Sequence, residues 1–256
     1  MSGTVTRVDR GTRRHYQVTG DEAVDPKAKL VSVTTVLGVI NKPALIPWAR
    51  NQALEKVRLT LEEFMGAAGR GYLSGIDIPA LIEEARTRPD EIRDEAGNLG
   101  TRAHDLIEKY LRGEEAVVPD DLTQVLISFL SWQKESCITV TMAEQMVYSA
   151  KHLYAGTMDA WGIRDGKPVA LDWKTSNALY PEAALQVSAY AKAWEEMTGE
   201  RCERAYVVRF GKTKAEFEVR EVADIDASFQ AFLAAKTLYE GTKAAAWAKK
   251  EKADGG

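Results

Sequence analysis

The chain has 256 residues, 45% hydrophobic and 28% charged, a balance that excludes wholesale disorder and fits one sizeable domain or one domain with an appended region. No apolar run approaches the roughly 20 residues of a membrane helix, and the opening MSGTVTRVDRGTRRHY lacks a signal-peptide core, so a soluble, cytoplasmic protein with no membrane partner is expected. The net charge is −4, but residues 1–60 hold ten Lys and Arg against five Asp and Glu, whereas residues 61–120 hold seven against fourteen.

In chain order, residues 1–31 read as an irregular or short-stranded segment. Ser32 can cap a short helix through Ile40, ended by Asn41-Lys42-Pro43. Leu45, Trp48, Ala49, Ala53, Val57 and Leu61 recur at helical spacing and predict a helix over 44–64. The glycines between Gly66 and Gly75 predict a loop or hinge, with a lid over a site and a plain surface loop both open. Two helices are expected over 79–88 and 91–112, and another over 122–135.

The pattern changes at Cys137. Short segments rich in β-branched and aromatic residues predict strands over 138–148, 153–164 and 168–174, with Asp165-Gly166 at a hairpin tip. A helix over 181–198, strands over 204–209 and 215–221, and a closing helix over 224–239 follow. The Lys-rich end reads as frayed. Three divisions are therefore expected: 1–136, mainly helical and carrying His104; 137–245, the core; and 246–256, a tail. The fold class is α/β, a mixed central sheet flanked by helices with a helical N-terminal region.

Chemistry is concentrated in Asp159 and in Asp172-Trp173-Lys174. On a strand, Asp172 and Lys174 share one face and Trp173 takes the other. Asp159 lies on the preceding strand of the same hairpin, where the turn can set it opposite Asp172. Two facing carboxylates repel, and a divalent cation resolves that conflict. An ammonium beside such an ion can activate water and stabilise charge developing on a phosphate. Asp-x-Lys alone is equally what an exposed hairpin ion pair looks like. Gln186 and Tyr190, four apart on one helix face, and His104, on an upstream helix, are the other polar residues drawn to this place, although each also has an ordinary packing explanation. Cys137 and Cys202 have no Cys or His at ligand spacing, which argues against a cysteine-ligated zinc site and against an iron–sulfur cluster.

Gly156-Thr157-Met158-Asp159, Asp172-Trp173-Lys174-Thr175 and Gln186-to-Tyr190 together resemble the RecB-like nucleases of the PD-(D/E)XK superfamily, with His104 fitting their upstream histidine. Ser32-to-Leu37 and Lys42-Pro43-Ala44-Leu45 through Trp48-Ala49 resemble phage-encoded exonucleases of that family, so the likeness touches residues 32 to 190. It implies a restriction-endonuclease-like core and Mg²⁺- or Mn²⁺-dependent hydrolysis of nucleic-acid phosphodiesters. By the same likeness His104, Asp159, Asp172 and the Trp173 backbone carbonyl are metal ligands, with Glu144 at a further acidic position, as outer-shell ligand or structural partner. Lys174 is the catalytic lysine, and Gln186 supports catalysis. Gln186, Tyr190, Thr175 and Ser176 are expected to touch the nucleic-acid backbone. Lys42 and Arg50, from the basic N-terminal excess, are expected to help bind the same polyanion, as are Arg13 and Arg14.

The expected function is a DNA nuclease, an exonuclease in phage-type replication, recombination or repair, with DNA and recombination or replication proteins as partners. A structure-selective endonuclease, an RNA-directed nuclease and a non-catalytic nucleic-acid-binding protein on the same fold are the alternatives.

Overall fold

The computed structural model describes residues 3–10, 13–68 and 76–244. The chain divides into two compact units, Met1–Ile40 with Ala103–Gly256, and Asn41–Arg102.

The first unit is built on a mixed sheet of eight strands: β1 (Thr4–Arg10), β2 (Arg13–Thr19), β3 (Leu30–Ser32), β4 (Ile138–Ser149), β5 (Tyr154–Arg164), β6 (Lys167–Lys174), β7 (Arg204–Phe210) and β8 (Phe217–Glu221). The order is β1-β2-β3-β5-β6-β7-β8, with β4 also paired to β5. The stretch read as irregular or short-stranded thus forms three strands of the central sheet. Alternation explains the first hairpin: Val5 pairs with Val18 and both are buried.

Helix α1 (Val33–Leu37) starts at Ser32, whose Oγ accepts the Thr35 N–H at 3.1 Å. Three-residue turn bonds carry it on to Ile40, as expected. Helices α5 (Pro181–Thr198) and α6 (Ile225–Ala244) pack with α1 in one aromatic and aliphatic core over the sheet, among them Val187, Phe229 and Phe232. Helix α4 (Thr123–Glu135) follows a 3₁₀ turn at Asp120–Leu122 and brings Phe129 and Trp132 to Trp173 and Phe210. The β5–β6 turn has positive φ at both Asp165 and Gly166, the type I′ geometry that Asp-Gly favours. Gly211 is needed in the β7–β8 turn because a Cβ there would lie 2.3 Å from the Lys214 carbonyl oxygen.

The second unit contains α2 (Leu45–Ala68) and most of α3 (Ile78–Leu111). One expectation fails here. The two helices expected over 79–88 and 91–112 are one; α3 runs through Pro89. A proline inside a helix costs about 3 kcal/mol, and strong helix formers on both sides, tied by Arg86–Glu83, Arg88–Glu91 and Arg93–Asp90 pairs, offset that cost. Helix α2 also continues past the expected loop start, taking in Gly66. Residues 69–75, which hold the rest of that expected lid or loop, lie outside the described residues, as do 245–256. No helix among the described residues is long and apolar enough to cross a membrane.

Candidate metal centre

Strand β4 pairs with β5 along the whole of β5, so β3 and β6 share the opposite edge, at its start and its end. The β5–β6 ladder stops at Ala160 opposite Leu171, whereas β6 stays with β7 as far as Lys174 opposite Arg209. The sheet therefore forks at the position where Asp159 and Asp172 face each other. A side chain replaces the lost ladder bond: the Trp173 N–H donates to Asp159 Oδ2 at 2.6 Å. Trp173 anchors the departing strand from the other face, 4.9 Å from Trp132 between ring centres.

Two side chains close on Asp159. His104, on the part of α3 that belongs to the first unit, sets Nδ1 3.3 Å from Asp159 Oδ1 and 3.5 Å from Glu144 Oε1. One ligand atom from each of His104, Glu144 and Asp159 lies within 4.8 Å of the other two. Glu144 reaches this position through a bulge in β4 between Val140 and Met142 and through a left-handed backbone, φ 50°. A non-glycine residue rarely adopts that conformation.

Asp172 is fully buried and stands outside that trio. Lys174 Nζ forms an ion pair with its Oδ2 at 2.6 Å, and Oδ1 has no hydrogen-bond partner among the described residues. Lys174 is held by a relay: Nζ donates to Gln186 Oε1 at 3.3 Å, and Gln186 Nε2 donates to the Tyr190 hydroxyl at 3.2 Å. Tyr190 itself sets the edge of its ring against Gly156, where a Cβ would come within 2.4 Å of Cε1.

The electrostatics follow from burial among charges. Burial alone would lower the His104 pKa, but the Asp159 and Glu144 carboxylates outweigh it and raise it to about 10. Burial raises Asp172 to about 6, with Asp159 adding and Lys174 opposing. Asp159 is burdened by the same desolvation, yet His104, Lys174 and the Trp173 N–H bring it below its ordinary value. In this arrangement the imidazolium offsets one of the two carboxylate charges that a cation would otherwise hold together.

Of the residues singled out from sequence, His104, Glu144, Asp159, Asp172, Lys174, Gln186 and Tyr190 come together here. Thr175 and Ser176 follow the end of β6, with Ser176 Oγ donating to the Ala178 carbonyl at 2.7 Å. At Trp173 the group seen meeting Asp159 is the N–H. Lys42 and Arg50 are exposed residues of the second unit, and the side chains of Arg13 and Arg14 lie outside the described residues. Sequence reading missed Tyr16, a buried side chain whose hydroxyl stands 3.3 Å from Thr157 Oγ1, two residues before Asp159. It also missed Glu108, one helical turn beyond His104, whose carboxyl is raised by burial, against Arg112, with Glu144 adding to the rise. The spacing of His104 and Glu108 was the available signal.

No protein-family model and no curated protein matches the chain. Among solved structures, that of SSO0001 aligns at 16% identity with a TM-score of 0.31, covering 61% of this chain. The chain spans 66% of that structure's length, and a likeness so distant carries no argument about fold or activity.

Proposed function

We propose that the chain is a metal-dependent deoxyribonuclease with a restriction-endonuclease-like core of the RecB type, acting from DNA ends in phage-type replication, recombination or repair. The observation that carries this reading is the fork at Asp159 and Asp172, which sets a His–Glu–Asp ligand trio beside a buried Asp–Lys pair. The donor set fits Mg²⁺ or Mn²⁺: carboxylate oxygens suit both, and the imidazole favours Mn²⁺. Asp172 Oδ2 is taken by Lys174, but its buried Oδ1 has no partner among the described residues and also fits a cation. In this reading His104, Asp159 and Asp172 hold the ion, with Glu144 and the Trp173 carbonyl as further oxygens.

When bound, such an ion lowers the pKa of water and polarises a phosphoryl oxygen. The protein's own residues do the rest. Asp172 keeps the Lys174 ammonium charged and oriented, and Gln186 and Tyr190 stop it swinging away. Lys174 then stabilises the charge that develops on the phosphate in flight. DNA is the partner in this proposal, contacted by Gln186, Tyr190, Thr175 and Ser176.

Digestion of end-labelled linear DNA and of covalently closed circles, with Mg²⁺ or Mn²⁺, tests the proposal. Linear DNA degraded while circles survive is the expected result for an exonuclease. Cut circles would make the enzyme an endonuclease. No cleavage of any DNA by wild type with either ion would overturn the reading.

A further inference from the structure

The β1–β2 strand pair brings Arg7 to the same face of the β4–β5 ladder as the carboxylates. The inward row begins apolar: Val5, Val18 and Tyr16 are buried against Tyr148 and Ala155, with Met146 beside them. Tyr16 fixes the hairpin through its hydroxyl, 3.3 Å from Thr157 Oγ1. Thr157 precedes Asp159 by two residues on β5, and its partner Met146 follows Glu144 by two on β4, so the row of Tyr16 contacts runs directly into the carboxylates.

Register then places Arg7 opposite Tyr16, and Asp9 opposite Arg14, one step nearer the hairpin tip. Where strand alternation calls for another inward apolar residue, the chain places Arg7. Its side chain is 42% exposed and its guanidinium is held by Asp9, with Nε 2.9 Å and Nη2 2.8 Å from Oδ2. An arginine fixed in orientation yet open to solvent can pair with a phosphate at little further entropic cost. Bonding to Asp9 raises the Arg7 pKa, burial opposes, and Glu144 contributes to the rise, which agrees with its place beside the trio.

We infer that the β1–β2 hairpin is a docking strip for the sugar–phosphate backbone of DNA, with Arg7 contacting a phosphate next to the one at the metal centre. The inference rests on the nuclease reading and identifies where the substrate backbone lies. It also answers a physical need, because three acidic side chains repel a polyanion until cations line its approach.

Anisotropy of a short fluorescein-labelled oligodeoxynucleotide, titrated with full-length protein in Ca²⁺ at several salt concentrations, reads binding separately from cleavage. Arg7→Gln is expected to weaken binding and to make the log–log salt slope shallower by about 0.7 to 0.9, the share of one phosphate contact. Arg7→Lys should restore most of the slope, because a lysine also neutralises one phosphate. A counter-ion role alone gives another result: an unchanged slope in Arg7→Gln with tighter Mn²⁺ binding, because a positive charge beside Glu144 has gone. That outcome overturns the strip and leaves the nuclease reading intact. Arg7-dependent DNA binding by a protein that cuts no DNA would keep the strip and remove the nuclease. Wild-type protein that binds no DNA would sink both.

Discussion

Lys174 is the residue on which the proposed chemistry depends most directly, and its surroundings say why its removal should leave the fold standing. Its partners are Asp172 and Gln186, and Trp173 anchors β6 from the opposite face without it. Lys174→Ala strips buried Asp172 of its partner, so the metal-free variant should be less stable, but with Mn²⁺ bound it should fold and lose at least about a hundredfold in single-turnover cleavage, the scale for removing one transition-state stabiliser. A folded variant cutting at the wild-type rate would refute the role. Gly156 carries a second, less direct prediction. Gly156→Ala drives a methyl group into the Tyr190 ring, so the ring must shift, and the relay through Gln186 to Lys174 loosens. The rate should fall while Mn²⁺ affinity changes little. In a Tyr190→Phe background, where the hydroxyl link is already absent, Gly156→Ala should cost distinctly less; equal costs in both backgrounds would show that glycine acts by another route.

At the scale of elements, β4 is the strand that stores strain for the site. Glu144 has φ 50° opposite Asp159, a conformation costing on the order of 1 kcal/mol or more for a side-chain residue. Glu144→Gly relieves that cost and removes a carboxylate from beside Asp159. The metal-free variant should melt no lower than wild type and bind Mn²⁺ more weakly, whereas Glu144→Gln should lose metal affinity without the backbone relief. A Glu144→Gly protein with unimpaired Mn²⁺ affinity would exclude Glu144 from the ligand set. This strain also marks a limit of sequence reading. The Asp-Gly turn, the β5–β6 pair and the Gln186–Tyr190 face were legible because each depends on neighbours a few residues away. The left-handed Glu144, the fork at Trp173 and the Tyr16–Thr157 contact were not, because distant strands impose them. The expected division of α3 failed for a related reason: a local breaker, Pro89, was outweighed by the length of favourable helix around it.

For the whole molecule, the site couples folding, protons and metal. In the metal-free protein the His104 pKa is raised from 6.5 to about 10. A raised folded pKa contributes stability that is full below the unfolded value and vanishes as pH climbs through the folded one. The margin of metal-free wild type over His104→Gln should accordingly be largest below pH 6.5 and decline towards pH 10. Asp172, raised by burial to about 6, works in the same direction at lower pH: its contribution is full below 3.8 and lost through about pH 6. Asp159, lowered, opposes it, favouring the fold above its unfolded pKa. Metal reverses the balance, since a protonated imidazole cannot be a ligand and an ion must displace the His104 proton. The rise in Tm given by a fixed Mn²⁺ concentration, in anaerobic buffer, should therefore grow as pH increases from 6.5, over the same range in which the metal-free margin shrinks. Asp159→Asn should show almost no such rise at any pH, because the ion has lost a charged oxygen. A Mn²⁺-induced shift in wild type that stays flat across this range would mean that His104 is no ligand, and its imidazolium would then be only a fixed counter-ion to Asp159 and Glu144.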